Sequence, residues 1–156
     1  MDEVREGRCT CGTVRYRLHG APMFVHCCHC TDCQRESGSA FAINALYESD
    51  RVELLAGAAE AVLTPSASGK GQTVHRCPAC HVALWSHYAG AGAAVSFVRV
   101  GTLDAPGALT PDIHVYTRSK LPWVRLPEGA LAAEGYYSPK AIWPVESQQR
   151  WKAVKG

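Results

Sequence analysis

The stretch Cys9-Thr10-Cys11-Gly12-Thr13-Val14-Arg15-Tyr16-Arg17-Leu18-His19 places two thiols, one residue apart, directly ahead of a strict alternation of apolar and polar side chains. Val14, Tyr16 and Leu18 fall on one side of an extended chain and Arg15, Arg17 and His19 on the other, the period-two pattern of a strand with one buried face. Gly20-Ala21-Pro22 ends it. Outward from this strand, short segments of the same kind recur at 40–47, 51–55, 61–64, 72–76, 82–87, 94–100 and 113–116. Turn and breaker residues separate them, as at Glu48-Ser49-Asp50, Ala56-Gly57, 65–71 and 89–93. Because most gaps hold no helical pattern, the chain is expected to be all-β, with two facing antiparallel sheets or a partial barrel and no parallel sheet. The expected helices are short, at 31–37 and 128–134. Residues 65–71 read as a mobile loop. The tail 139–156 carries Trp143 and Trp151 and is expected to pack back on the body, while Phe41 and Trp123 read as core.

The chain has 156 residues, 47% apolar and 19% charged. A chain of this size buries about two thirds of its unfolded surface around one core; with no internal repeat or linker, residues 1–156 read as a single domain. The formal charge of +2, with Arg and Lys dispersed and no basic run beyond Arg15-Tyr16-Arg17, argues against a nucleic-acid partner. The most apolar stretch, 82–100, is interrupted by Ser86, His87, Ser96 and Arg99, so no membrane span is expected. The opening Met1-Asp2-Glu3-Val4-Arg5-Glu6 lacks a basic segment followed by an apolar one. The expectation is therefore a cytoplasmic chain without a secretory leader, whose eight cysteines are reduced.

Those cysteines form three groups: Cys9 and Cys11; Cys27, Cys28, Cys30 and Cys33; Cys77 and Cys80. A Cys-x-Cys pair entering one strand and a Cys-Pro-Ala-Cys knuckle leaving another each supply half of a tetrahedral thiolate site. Joining them closes a loop of about 65 residues at a cost of order 4 kcal/mol, against roughly 10–16 kcal/mol for binding a structural zinc ion. Cys9, Cys11, Cys77 and Cys80 therefore read as one structural zinc site. Two local redox or disulfide pairs are the weaker reading. A Cys-x-Cys disulfide closes a strained ring, and Cys80 leads into a strand instead of the helix that a redox Cys-x-x-Cys opens.

In the central run Cys27-Cys28-His29-Cys30-Thr31-Asp32-Cys33, neighbouring Cys27 and Cys28 project to opposite sides of an extended chain. Cys28, Cys30 and Cys33 can wrap one ion from a single loop. Three protein ligands would leave a coordination position open, the mark of a catalytic ion. The other reading is a second closed site, completed by His29, His26, Cys27 or a distant histidine.

Taken together, Gly7-Arg8-Cys9-Thr10-Cys11-Gly12, Cys28-His29-Cys30-Thr31-Asp32-Cys33, Arg76-Cys77-Pro78-Ala79-Cys80, Gly101-Thr102-Leu103-Asp104, His114-Val115-Tyr116 and Lys120-Leu121-Pro122-Trp123 resemble the blocks of the glutathione-dependent formaldehyde-activating enzyme family, also called the GFA or centromere-protein-V family. The resemblance implies an Mss4-like fold of two facing sheets and two Zn2+ per chain, structural on the outer four cysteines and open on the central three. It also implies a carbon-sulfur lyase that forms or cleaves the S-hydroxymethyl adduct of glutathione with formaldehyde. The chain departs from the family pattern at His81, where glycine is usual, and in the extra thiol Cys27.

A tris-thiolate zinc is a poor Lewis acid toward a carbonyl and a good holder of a fourth thiolate, so the expected chemistry is activation of a small thiol toward an aldehyde. His29, beside the ligands, and His114 are the proton-donor candidates. Arg35, ahead of Lys120 and Arg118, is the candidate for a carboxylate of the thiol. Two rival functions stand beside this one: a zinc module presenting a protein or nucleic-acid surface, and a redox sensor built on Cys27.

Overall fold

The computed structural model describes residues 3–155; Met1, Asp2 and Gly156, included in the readings of the two chain ends, lie outside them. Ten strands, β1 (Val4–Arg8), β2 (Arg15–His19), β3 (Phe24–Cys28), β4 (Ala42–Glu48), β5 (Val52–Ala56), β6 (Glu60–Thr64), β7 (Gln72–Arg76), β8 (Ala83–Tyr88), β9 (Val95–Arg99) and β10 (Ile113–Val115), form two sheets. The smaller has the order β1-β2-β5 and the larger β10-β3-β4-β9-β8-β7-β6. Three α-helices, α1 (Thr31–Ser37), α2 (Pro139–Ile142) and α3 (Val145–Lys155), and four single-turn 3-10 helices complete the described chain.

The alternation in β2 does what it foretold. Tyr16 and Leu18 are fully buried, and with Val14 they meet Val25, Ala45, Tyr47, Trp85 and Val98 of the larger sheet in one apolar cluster. Tyr16 packs edge-on to Trp85 with ring centroids 5.7 Å apart, and its hydroxyl reaches Thr102 Oγ1 at 2.6 Å. A tyrosine buried this deeply needs such a partner, because an unpaired hydroxyl in an apolar setting is costly. Ser37 ends α1, and Gly38 takes the left-handed conformation (φ 66°) that closes it.

Several expectations are corrected. β1 was not foreseen: Val-Arg-Glu-Gly-Arg has no apolar alternation, and it forms a charged edge strand of the kind that discourages pairing with another chain. β3 was also not foreseen, because all five of its residues are buried and a strand covered on both faces shows no alternation. The larger sheet is not wholly antiparallel, since β10 runs parallel to β3 with Ile113, His114 and Val115 opposite His26, Cys27 and Cys28. Residues 128–134 form no helix. Gly129 is left-handed (φ 78°), and 131–135 instead extend beside β10, where His114 N donates to Leu131 O and Ala133 N to His114 O, both at 2.9 Å. Trp123 is 71% exposed and is no part of the core.

The tail does return to the body, partly as a helix that its sequence hides, because α3 carries few apolar residues. Trp143 stacks on Phe24 at 5.5 Å, meets Trp151 edge-on at 5.6 Å, and donates its indole N–H to Tyr137 Oη at 2.6 Å. Ser147 Oγ donates to Met23 O at 2.6 Å, and Arg150 grips both carboxylate oxygens of Glu48 at 2.8 and 2.6 Å. Because Trp143 is 5% exposed, Trp143→Ala is expected to cost about 3–5 kcal/mol and lower Tm by roughly 10 °C. Thermal denaturation checks this, and an unchanged Tm would mean that the tail adds nothing to stability.

Candidate functional site

The four outer cysteines converge at the junction of the two sheets. Cys9 follows β1, Cys11 lies in the turn before β2, and Cys77 and Cys80 occupy the turn between β7 and β8. Their sulfurs all lie within 4.8 Å of one another, with Cys11 3.6 Å from Cys9 and 3.7 Å from Cys77. A tetrahedral zinc with bonds of about 2.3 Å requires sulfur-sulfur edges of about 3.8 Å, so the donor set fits that ion. Backbone N–H groups of Val14 (3.4 Å, to Cys9), Ala79 (3.4 Å, to Cys77) and Cys80 (3.5 Å, to Cys77) point at the sulfurs and favour thiolates. Thr13 hydrogen-bonds to Cys11 and brings its thiol down to about 6.

Both knuckles close on a left-handed residue, Gly12 at φ 80° and His81 at φ 65°. In that position His81 donates its N–H to Cys77 O at 2.9 Å. The turn thus requires a backbone state that glycine enters freely and a side chain with a Cβ enters at a cost.

The three central thiols also converge. Cys28 ends β3, Cys30 is the N-cap of α1, and Cys33 sits one turn into that helix, its N–H donating to Cys30 Sγ at 3.3 Å. All three sulfurs lie within 4.8 Å of one another. Hydrogen bonds from Cys28 and Cys33 hold the Cys30 thiol down at about 2, the contact with Cys30 pushes Cys28 up to about 12, and contacts with Cys28 and Cys30 raise Cys33. Neighbouring thiolates repel, so the three oppose one another's ionisation, and a metal ion is what would let all three ionise.

Tyr116, partly buried, packs against the apolar cluster that contains Cys28 and Cys33. Its phenol is held above its ordinary range by burial first and then by the charge of Cys28 and Cys30. Its backbone is left-handed (φ 57°, ψ 41°), a conformation uncommon for a bulky side chain and kept only where the surrounding structure over-determines it. The Arg118 guanidinium lies 5.9 Å from the centre of the Tyr116 ring. Tyr116 stands in one of the sequence blocks quoted above, yet nothing local distinguishes it there. The signal is its backbone angle, which only the fold reveals.

His29 and His114 are brought together, but not into the three-thiol group. His29 Nε2 lies 3.0 Å from His114 Nδ1 and 3.6 Å from Cys27 Sγ. Cys27 and His114 are register partners on β3 and β10, and strand alternation sends Cys27 to the side opposite Cys28. Burial lowers His29 to about 4, with help from His114 and Lys120, and lowers His114 as well. Phe41 stands edge-on to His29 at 5.3 Å. Gln34 ties this region to the loop after β10 by donating to His29 O and Ser119 O, both at 2.9 Å. Arg35 is exposed on α1, and Lys120 Nζ donates to Val124 O at 2.8 Å.

The left-handed turn at His81 generates a prediction. His81→Gly is expected to keep the fold and raise Tm by a few degrees, since relief of about 1 kcal/mol of backbone cost outweighs the added chain freedom. A lower Tm would show that the imidazole itself supports the knuckle.

A crystal structure of a Rhodobacter sphaeroides protein matches 81% of this chain and 97% of its own, at 17% sequence identity and a TM-score of 0.46. No curated protein matches. Among the described residues, no helix is long and apolar enough to cross a membrane. The model of the glutathione-dependent formaldehyde-activating enzyme (GFA) family matches residues 4–119. With both cysteine groups inside those bounds, the chain belongs to the glutathione-dependent formaldehyde-activating enzyme family.

Proposed function

We propose that this chain acts as a single-domain, cytoplasmic carbon-sulfur lyase that uses two zinc ions and joins glutathione or a similar small thiol to formaldehyde, reversibly. The observation that carries this reading is the three-donor group of Cys28, Cys30 and Cys33, in a chain of this family. Cys9, Cys11, Cys77 and Cys80 would hold the structural ion. Held by Cys28, Cys30 and Cys33, a second zinc would supply the positive charge on which an incoming thiol ionises at neutral pH.

The remaining work falls to side chains. In the forward direction the thiol sulfur gives an electron pair to the aldehyde carbon and a C–S bond forms. The C=O π pair moves to oxygen, which takes up one proton, while the thiol gives up its own. Tyr116 is the donor this reading assigns, in place of the His29 and His114 expected from sequence. A phenol is protonated at neutral pH, and this one packs against the cluster that holds the thiols, whereas the two imidazoles face Cys27. Arg118, exposed like Arg35 but lying over the Tyr116 ring, is assigned the carboxylate of the thiol ahead of Arg35.

Two measurements test this. Cys30→Ala is expected to hold one metal ion fewer than the wild type, keep its fold, and lose all acceleration of adduct formation over the spontaneous reaction, as followed by exchange NMR on glutathione and formaldehyde. Wild-type protein that neither accelerates the exchange nor retains a thiol would overturn the lyase assignment. Tyr116→Phe is expected to lower kcat on the order of 10²-fold with metal content unchanged; an unaltered kcat would remove Tyr116 from the mechanism.

A further inference from the structure

Cys27, the thiol left without a role by the sequence, is not isolated. Its sulfur, a ring nitrogen of His29 and a ring nitrogen of His114 all lie within 4.8 Å of one another. The three residues are 1%, 0% and 8% exposed. Backbone geometry builds the group. Cys27 and His29 are two residues apart on one continuous extended segment, since His29 N donates to Val115 O at 3.0 Å just past the end of β3, and His114 stands opposite Cys27 on the parallel neighbour β10. Side chains two apart on a strand, and side chains directly opposite across a ladder, share a face.

Hydrogen bonding alone does not satisfy this group. An imidazole nitrogen offers one lone pair or one N–H, never both. His29 Nε2 faces two partners, His114 Nδ1 at 3.0 Å and Cys27 Sγ at 3.6 Å, so one of them goes without a full bond. His29 Nδ1 is buried and has no hydrogen-bond partner, so every polar contact of this ring is made at Nε2. A cation at the centre would engage all three atoms at once. With bonds of about 2.1 Å to nitrogen and 2.3 Å to sulfur, a tetrahedral ion sets N···S at about 3.6 Å and N···N at about 3.4 Å. The Cys27–His29 edge already has that length, Cys27 and His114 lie within 4.8 Å, and the His29–His114 edge requires the two rings to part by about 0.4 Å.

We propose that Cys27, His29 and His114 form a third metal site, selective for a borderline-soft divalent ion such as zinc and distinct from both all-cysteine groups. One thiolate and two neutral imidazoles suit zinc or its spectroscopic stand-in cobalt, and lack the oxygen donors that calcium or magnesium demands. The site clamps the three-residue edge strand β10 to β3. It stands independently of the lyase reading, because none of its ligands belongs to the Cys28, Cys30 and Cys33 group.

The all-cysteine groups contain no histidine, so shifted imidazole signals that disappear in a Cys27 or His114 variant report this site. Full-length protein produced in cobalt-supplemented medium is expected to show hyperfine-shifted, exchangeable imidazole N–H resonances in its proton NMR spectrum. Cys27→Ser and His114→Asn are each expected to lose those resonances and to hold one metal ion fewer than the wild type by elemental analysis, with the cobalt-thiolate bands of the other groups retained. Cobalt-saturated wild type without shifted imidazole protons would overturn the proposal, as would variants that keep the wild-type metal count. If a variant fails to fold, the wild-type spectrum decides. Because the count is a difference between variants, loss or absence of lyase activity leaves the outcome readable.

Discussion

Convergence of Cys9 and Cys11 with Cys77 and Cys80 is the constraint on which the arrangement depends, because the first pair follows a strand of the smaller sheet and the second follows a strand of the larger. The smaller sheet has three short strands, one of them a charged edge. Its apolar face is narrow: Val14, Tyr16 and Leu18 supply much of the contact with the larger sheet. A four-thiolate ion at this junction would fix the spacing of the two sheets at one end, and Tyr16 against Trp85 and Thr102 sets it further along. The apolar core then fills a gap whose width is already determined.

A second constraint is the pleat of β3. Adjacent cysteines on an extended chain must face apart, so Cys28 joins Cys30 and Cys33 while Cys27 joins His29 and His114. One strand thereby serves two chemically different groups on its two sides. Shifting its register by one residue would exchange them, which makes the pairing of β3 with both β4 and β10 as consequential for chemistry as for packing.

What could be read from sequence was local. Cysteine pairs separated by one or two residues announce half-sites without knowledge of the fold, and strands with one wet face, such as β2, announce themselves by alternation. β3 was illegible for the opposite reason: with both faces covered, Phe24 to Cys28 carries no period. α3 was illegible because its docking rests on a few separate contacts, Ser147 to Met23 and Arg150 to Glu48 among them, rather than an apolar stripe. Trp123 misled because size and apolarity do not by themselves bury a side chain. The meeting of His29 with His114, 85 residues apart, depends on a parallel pairing that the alternation argued against.

The docking of the tail bears on the order in which the molecule is completed. Trp143 and Trp151 pack against the same apolar cluster that holds Cys28 and Cys33. During synthesis, residues 28 to 33 emerge long before residue 143, and chains fold from the N-terminus as they appear. The strand and loop that carry the central thiols are therefore made while part of the apolar cluster behind them is still missing, and residues 143 to 154 supply that part only later.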